Sequence, residues 1–140
     1  MAAAALFTDF RSQSDQATAA TETFSNLYYK TFDTQRHRLA SLYTDVSTVV
    51  WNGNGYRGVS QINEFFINLP ATVHEITSMD CQPINKIASQ NATSILVVCE
   101  GTVRYGDERQ RKHFSQNFLL MSENNTWKVV SDCFRFIDFE

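Results

Sequence analysis

The sequence predicts an α+β domain, and three observations carry that reading. Helical periodicity with few breakers occupies the chain up to Pro70, interrupted by one strand and one tight turn. From Thr72 onward the pattern changes to long β-branched and aromatic runs separated by short turn sequences. No repeat, linker or low-complexity tract intervenes. At 140 residues the chain is therefore expected to be one domain over 1–140 with a real core, its first seven residues disordered.

Residues 8–30 contain no Pro or Gly, and Ala17, Ala20, Phe24, Leu27 and Tyr28 recur at helical spacing. Asp33 is the expected N-cap of a second, shorter helix whose buried stripe is Leu39, Leu42 and Tyr43. Residues 46–51 read as a strand. Asn52-Gly53-Asn54-Gly55 follows as a tight turn, because Asn and Gly tolerate positive φ. After Gly58, Ile62, Phe65, Phe66 and Leu69 keep the i, i+3, i+4, i+7 rule of a third helix, which Pro70 ends. Four strands are then expected over residues 72–84, 92–105, 110–122 and 126–138, with turns at Gly106-Asp107 and Glu123-Asn124-Asn125.

Alternation within these strands gives the first hint of function. Trp127, Val129, Cys133 and Ile137 share one face of the last strand with Arg135, while Val130, Phe134 and Phe136 share the other with Asp132. Both faces are apolar. Phe114, Phe118 and Leu120 fall on one face of the preceding strand, and Ser115, Asn117, Leu119 and Met121 on the other. Ile95-Leu96-Val97-Val98-Cys99 is an unbroken apolar run. An antiparallel sheet usually has one buried and one wet face. Here the helices can cover one face only, so the other calls for a partner subunit or a second sheet.

Composition narrows the function classes. Hydrophobic residues at 43% and charged residues at 19% describe a globular chain rather than a disordered one. A net charge of -3 with no dense basic stripe argues against direct nucleic-acid binding. Arg36-His37-Arg38 reads as a solvated helix end, with His37 uninvolved, and Arg109-Gln110-Arg111-Lys112 as a hairpin tip. Cys81, Cys99 and Cys133 form no C-x-x-C pair and no zinc-ligand set, so buried free thiols in a reducing compartment are expected. No signal peptide, membrane span, metal or cofactor is expected, and the two N-x-[ST] sequons read as chance turn sequences.

Two isolated carboxylates, Asp80 and Asp132, lie in apolar strands with His74 and His113 as nearby candidates. A carboxylate inside a sheet curled around helices could serve as a general base. Without a nucleophile, metal set or glycine-rich loop the favoured reading is structural. Trp51 and Phe65-Phe66 read as core. Arg135 must find a carboxylate or reach water, because a guanidinium stays charged in a protein. The residues alone leave open whether that carboxylate is in this chain or in a partner.

Tyr28-Tyr29, Trp51-Asn52-Gly53-Asn54, Ile62-x-x-Phe65-Phe66-x-x-Leu69-Pro70, Asp80-Cys81-Gln82-Pro83 and Ser131-Asp132-Cys133-Phe134-Arg135-Phe136 together resemble the nuclear transport factor two family, and within it the export branch. The resemblance covers nearly the whole chain from Thr8. It implies a cystatin-like cone of three helices packed on a strongly bent antiparallel sheet, with the outer face as a dimer interface. It further implies a non-enzymatic subunit, joined to the related domain of a large mRNA export receptor and shuttling between nucleus and cytoplasm by way of the nuclear pore. Association with nucleoporins and mRNA would be indirect, with no membrane partner. Arg135 would pair with an aspartate of the large subunit, and Leu96, Val98, Asn117 and Cys133 would share that interface. Alternatives on the same fold are a homodimeric import carrier of Ran-GDP and a small-molecule isomerase or dehydratase. Asn52 stands where the import branch has an acidic residue, which argues against Ran.

Overall fold

The computed structural model describes residues 2–85, 92–124 and 126–137, with the side chains of 2–9 outside that description. The expected disorder of residues 1–7 falls outside what is described. Helix α1, Ala2–Thr34, is followed by a 3₁₀ helix, Arg36–Leu42, then β1 (Tyr43–Trp51), β2 (Asn54–Arg57) and α2 (Gly58–Ile67). Four long strands complete the chain: β3 (Thr72–Pro83), β4 (Ser94–Tyr105), β5 (Lys112–Glu123) and β6 (Thr126–Phe136). They form one sheet in the order β2-β1-β6-β5-β4-β3. Every pairing is antiparallel except β1 with β6, which is parallel and was not foreseen.

The three helical segments fill the concave side of this sheet. Phe24, Tyr28, Tyr29 and Phe32 of α1 are buried against Phe114 and Phe118 of β5 and Phe134 of β6. Trp51 stacks on Phe134 with ring centroids 3.8 Å apart, and Phe134 stacks in turn on Phe114 at 5.0 Å. Each fully buried ring of this kind contributes about 1.5–3 kcal/mol. The aromatic content foreseen as core is core, Trp51 and Phe66 included. Phe65 is half-buried and stacks on Tyr56 at 4.2 Å.

Two irregularities bend the sheet around this filling. Opposite Gly101 the β3–β4 register shifts between Ile76 and Ser78. A Cβ on Gly101 would lie 2.3 Å from the Glu75 carbonyl oxygen, so only glycine permits the approach. Between β5 and β6, Leu119 faces Ser131 while Leu120 faces Val129, leaving Val130 as an extra residue, a β-bulge. The hairpin from β1 to β2 turns on Asn52 and Gly53, with φ of 51° and 86°, the two-residue turn that the Asn-Gly sequence predicts.

Several sequence expectations need correction. Asp33 lies in the last turn of α1, and Gln35 holds the N-cap of the 3₁₀ helix without a side-chain bond. The Asp33 carboxylate instead accepts from Thr72 Oγ1 (2.8 Å), the His74 backbone N–H (2.8 Å) and His74 Nδ1 (2.6 Å). Tyr43 opens β1 rather than closing a helix, and α2 stops at Ile67, short of Pro70. Leu27 is 52% exposed, because the buried stripe of α1 is centred on Thr21, Tyr28 and Phe32 and passes to one side of it.

Arg36 is the largest correction. Its guanidinium donates to the carbonyls of Phe32, Phe66, Leu69 and Pro70 and to Thr72 Oγ1. These carbonyls lie at or just beyond the C-terminal ends of α1 and α2, and one planar fork donates to all of them. A solvated helix end does not describe this residue.

Candidate functional site

With one face of the sheet packed on helices, the other is bare in the chain as it stands. Alternation assigns its members. Val98 of β4, Asn117 of β5 and Cys133 of β6 are Cα partners in one row, and Leu96, Leu119 and Ser131 form the next. Glu100, Ser115 and Arg135 form a third row. Val50 of β1 continues the Cys133 row. Leu96, Val98, Asn117, Cys133 and Arg135 are thus brought together on this outer face and are all exposed. Val98 is 41% and Leu96 36% exposed, high for aliphatic side chains in the middle of a sheet.

The bulge changes who shares the face with Arg135. Strict alternation places Trp127 and Val129 there, but the extra residue at Val130 turns them inward. Val129 is buried beside Asp132 and Phe134, and Trp127 is half-buried against the core. The cysteines also differ from expectation: all three are free, yet only Cys99 is buried, Cys81 being half-buried and Cys133 exposed.

Among the described residues Arg135 has neither an ion pair nor a hydrogen bond to its side chain. Among the described residues the guanidinium therefore has no paired carboxylate, although Glu100 in its own row and Asp80 in the Val98 row stand on the same face. Covering this face without supplying one would strand a desolvated cation, a cost of several kcal/mol.

The inner face carries a second constellation. Asp132, 1% exposed, accepts from Tyr43 Oη (2.6 Å), Tyr28 Oη (3.3 Å) and Gln116 Nε2 (2.8 Å). Gln116 Oε1 accepts from Tyr29 Oη at 2.7 Å, and Tyr29 Oη lies 3.0 Å from Cys99 Sγ. Burial pushes the Asp132 carboxyl up to about 6, against the bonds from Gln116, Tyr43 and Tyr28 that favour its charge. Burial likewise pushes the Cys99 thiol to about 11 and the hydroxyls of Tyr28, Tyr29 and Tyr43 upward. Sequence reasoning passed over Gln116, and it named Tyr43 as buried without its bond to Asp132. The signal for Gln116 was available, since it sits in the inward alternation between Phe114 and Phe118.

A general base needs a path to substrate. The cavity between α1 and the ends of β3 and β4, about 260 Å³, is lined by Gln13, Ala17, Pro83, Ser94, Ile95 and Trp127, and Asp132 does not reach it. Asp80 is exposed on β3 opposite Val98, and His74 is committed to Asp33. Burial alone would raise the Asp33 carboxyl, but the bonds from His74 and Thr72 outweigh it and hold it below its ordinary value. His113 stands near the start of β5, opposite Thr102. The structure does not gather these groups into one catalytic set. Among the described residues no cluster of three or more His, Cys, Asp or Glu could hold a metal ion.

Asn52 has a structural task. It takes a left-handed conformation in the hairpin turn, and its Oδ1 accepts the Phe136 N–H at 2.8 Å, pinning the turn to the end of β6.

Residues 20–136 match the Nuclear transport factor 2 (NTF2) domain. NTF2-related export protein 2 of Homo sapiens is 45% identical over 135 residues, covering 94% of each chain. Among solved structures, nuclear transport factor 2 from Cryptosporidium parvum superposes with a TM-score of 0.75 at 34% identity, over 89% of this chain and 95% of that one. A putative scytalone dehydratase from Novosphingobium aromaticivorans, 15% identical with a TM-score of 0.71 over 91% of this chain and 89% of that one, shares the fold alone. The cone of helices on a curled sheet, the matched domain and these relatives agree, and the chain belongs to the nuclear transport factor 2 family.

Proposed function

We propose that the chain is a non-enzymatic subunit that heterodimerises, through the outer face of its sheet, with the related domain of a large mRNA export receptor. In that complex it supports passage of mRNA through the nuclear pore, with nucleoporins and mRNA engaged through the partner and the subunit shuttling between nucleus and cytoplasm. The observation that carries this reading is Arg135, which among the described residues has no side-chain partner and shares its face with Leu96, Val98, Asn117 and Cys133. An exposed apolar sheet face is a ready interface, and a lone cation within it selects a partner that brings a carboxylate. The similarity to a protein named for export supports the transport role.

The experiment is coexpression of the full chain with the corresponding domain of an mRNA export receptor from the same species. A stable complex that Arg135→Asp abolishes, and that an aspartate-to-arginine change in the partner partly restores, is the expected result. A complex of unchanged affinity with the variant would remove Arg135 from the interface. The sealed position of Asp132 favours this reading over a dehydratase, and the structural use of Asn52 favours it over a Ran-GDP carrier.

A further inference from the structure

We propose that the cavity between α1 and the ends of β3 and β4 binds a small neutral aromatic molecule carrying one hydroxyl group, which pairs with Ser94 while its rings pack on Trp127. This site stands apart from the outer face and goes beyond the subunit role proposed above.

The buried hydroxyl is the first observation. Ser94 lines this cavity of about 260 Å³ and is 4% exposed, and its Oγ has no hydrogen-bond partner among the described residues. Buried hydroxyls are nearly always paired, and one without a protein partner is free to donate to a ligand and to accept from it. The cavity is also far larger than the ~30 Å³ that one water takes, so a single water bonded to Ser94 would not fill it.

The rest of the lining sets the chemical class. Ala17 and Ile95, 3% and 2% exposed, make an apolar floor. The half-buried Trp127 offers a flat wall on which a second ring stacks or rests its edge. Gln13 and Gln16, exposed on α1, place amides at the rim. Among the described residues no charged side chain lines the cavity. A charged ligand would lose its hydration there without a counter-ion, so the ligand is neutral. An apolar lining with a few polar groups is the make-up of a small-molecule site, and a volume below the range of about 300–1,000 Å³ for drug-sized ligands limits it to one or two rings.

The other buried hydroxyl without a partner, Thr21 Oγ1, does not offer the same site, because its recess also holds Glu22 and Asp80. Asp132 does not reach the Ser94 cavity, so the arrangement serves binding and not proton transfer. Ala17 and Ile95 belong to the core on the helix side of the sheet. An occupant beside them therefore leaves Leu96 and Val98 open to a protein partner.

Titration of β-naphthol, naphthalene and β-naphthoate into the isotope-labelled full chain, followed by NMR, tests this. β-Naphthol is expected to saturate the protein below about 1 mM and to shift the indole N–H of Trp127, while that of Trp51, outside the lining, stays in place. β-Naphthoate should bind at least about tenfold more weakly. Ser94→Ala should weaken β-naphthol by about three- to tenfold and leave naphthalene unchanged. Gln16→Phe, at an exposed helix position on the rim, should fill the mouth and remove both, with circular dichroism confirming the fold of each variant. Absence of saturable β-naphthol binding overturns the proposal, as does binding that spares Trp127 or keeps its full strength in Gln16→Phe. Equal binding of β-naphthoate overturns the neutral class. Ser94→Ala with both ligands equally affected, or with neither affected, overturns the role of the hydroxyl.

Discussion

Tyr43 donates to Asp132 across 2.6 Å at the centre of the fold, and every partner of that carboxylate is neutral. A buried acid without a cation resists ionisation, which is why its titration moves up to about 6. The folded-state value exceeds the ordinary 3.8, so the protonated form is the one the fold prefers. Its contribution to stability is complete below the ordinary value and is lost as pH rises through about 6.

Asp132→Asn should therefore stabilise the chain at neutral pH. Its Oδ1 can accept from Gln116 and its Nδ2 can donate to Tyr43, so the network survives without a charge. A gain on the order of 2 kcal/mol is expected above pH 7, vanishing below pH 4. Urea denaturation of both proteins across this range measures it. Equal stability of the two at neutral pH would mean that Asp132 ionises there without penalty.

Arg135 should matter to association and not to folding. Arg135→Ala is expected to shift the chain's own unfolding free energy by less than about 0.5 kcal/mol, as for a surface change. Its loss from the receptor complex should cost about 2–5 kcal/mol by titration calorimetry, since a partner carboxylate is left unpaired. A lowered melting temperature with unchanged affinity would reassign the residue to the fold.

Arg36 should behave in the opposite way. Arg36→Ala removes five donated hydrogen bonds at the ends of α1 and α2, and a loss of about 2–4 kcal/mol in denaturant stability is expected. Arg36→Lys should recover little, because an ammonium cannot reproduce the planar fork that spans Phe66, Pro70 and Thr72.

Asn52→Glu tests the turn and the alternative carrier at once. The substitution removes the acceptor held at 2.8 Å from the Phe136 N–H and puts a less tolerant residue at φ 51°. Destabilisation of about 1–2 kcal/mol is expected. No complex with Ran-GDP should form in pull-downs with either protein. Capture of Ran-GDP by the wild type would favour the import reading.

Much of this was legible in the residues. Phe114, Phe118 and Leu120 announced their shared face, and Asn52-Gly53 its turn, because side-chain alternation and turn chemistry are local. Arg36 and Asp33 were misread because their partners, Phe66 to Thr72 and His74, are far away in sequence and meet them only after folding. Parity within β6 put Cys133 and Arg135 on one side, but the grouping of Leu96, Val98 and Asn117 with them came from the family resemblance, since pairing between strands is not a local property. Trp127 and Val129 escaped that parity because nothing local in β6 marks Val130 as the extra residue.

That extra residue governs where β6 can change length. Because Val130 is a supernumerary member of the ladder, deleting it would leave Val129, Asp132 and Phe134 pointing inward and Cys133 and Arg135 outward, at the expense of some bend. A deletion at Cys133 has no such absorber. It would turn Phe134 toward the outer face and drive the guanidinium of Arg135 into the aromatic core. Single-residue indels in this strand are therefore survivable at the bulge and ruinous beyond it.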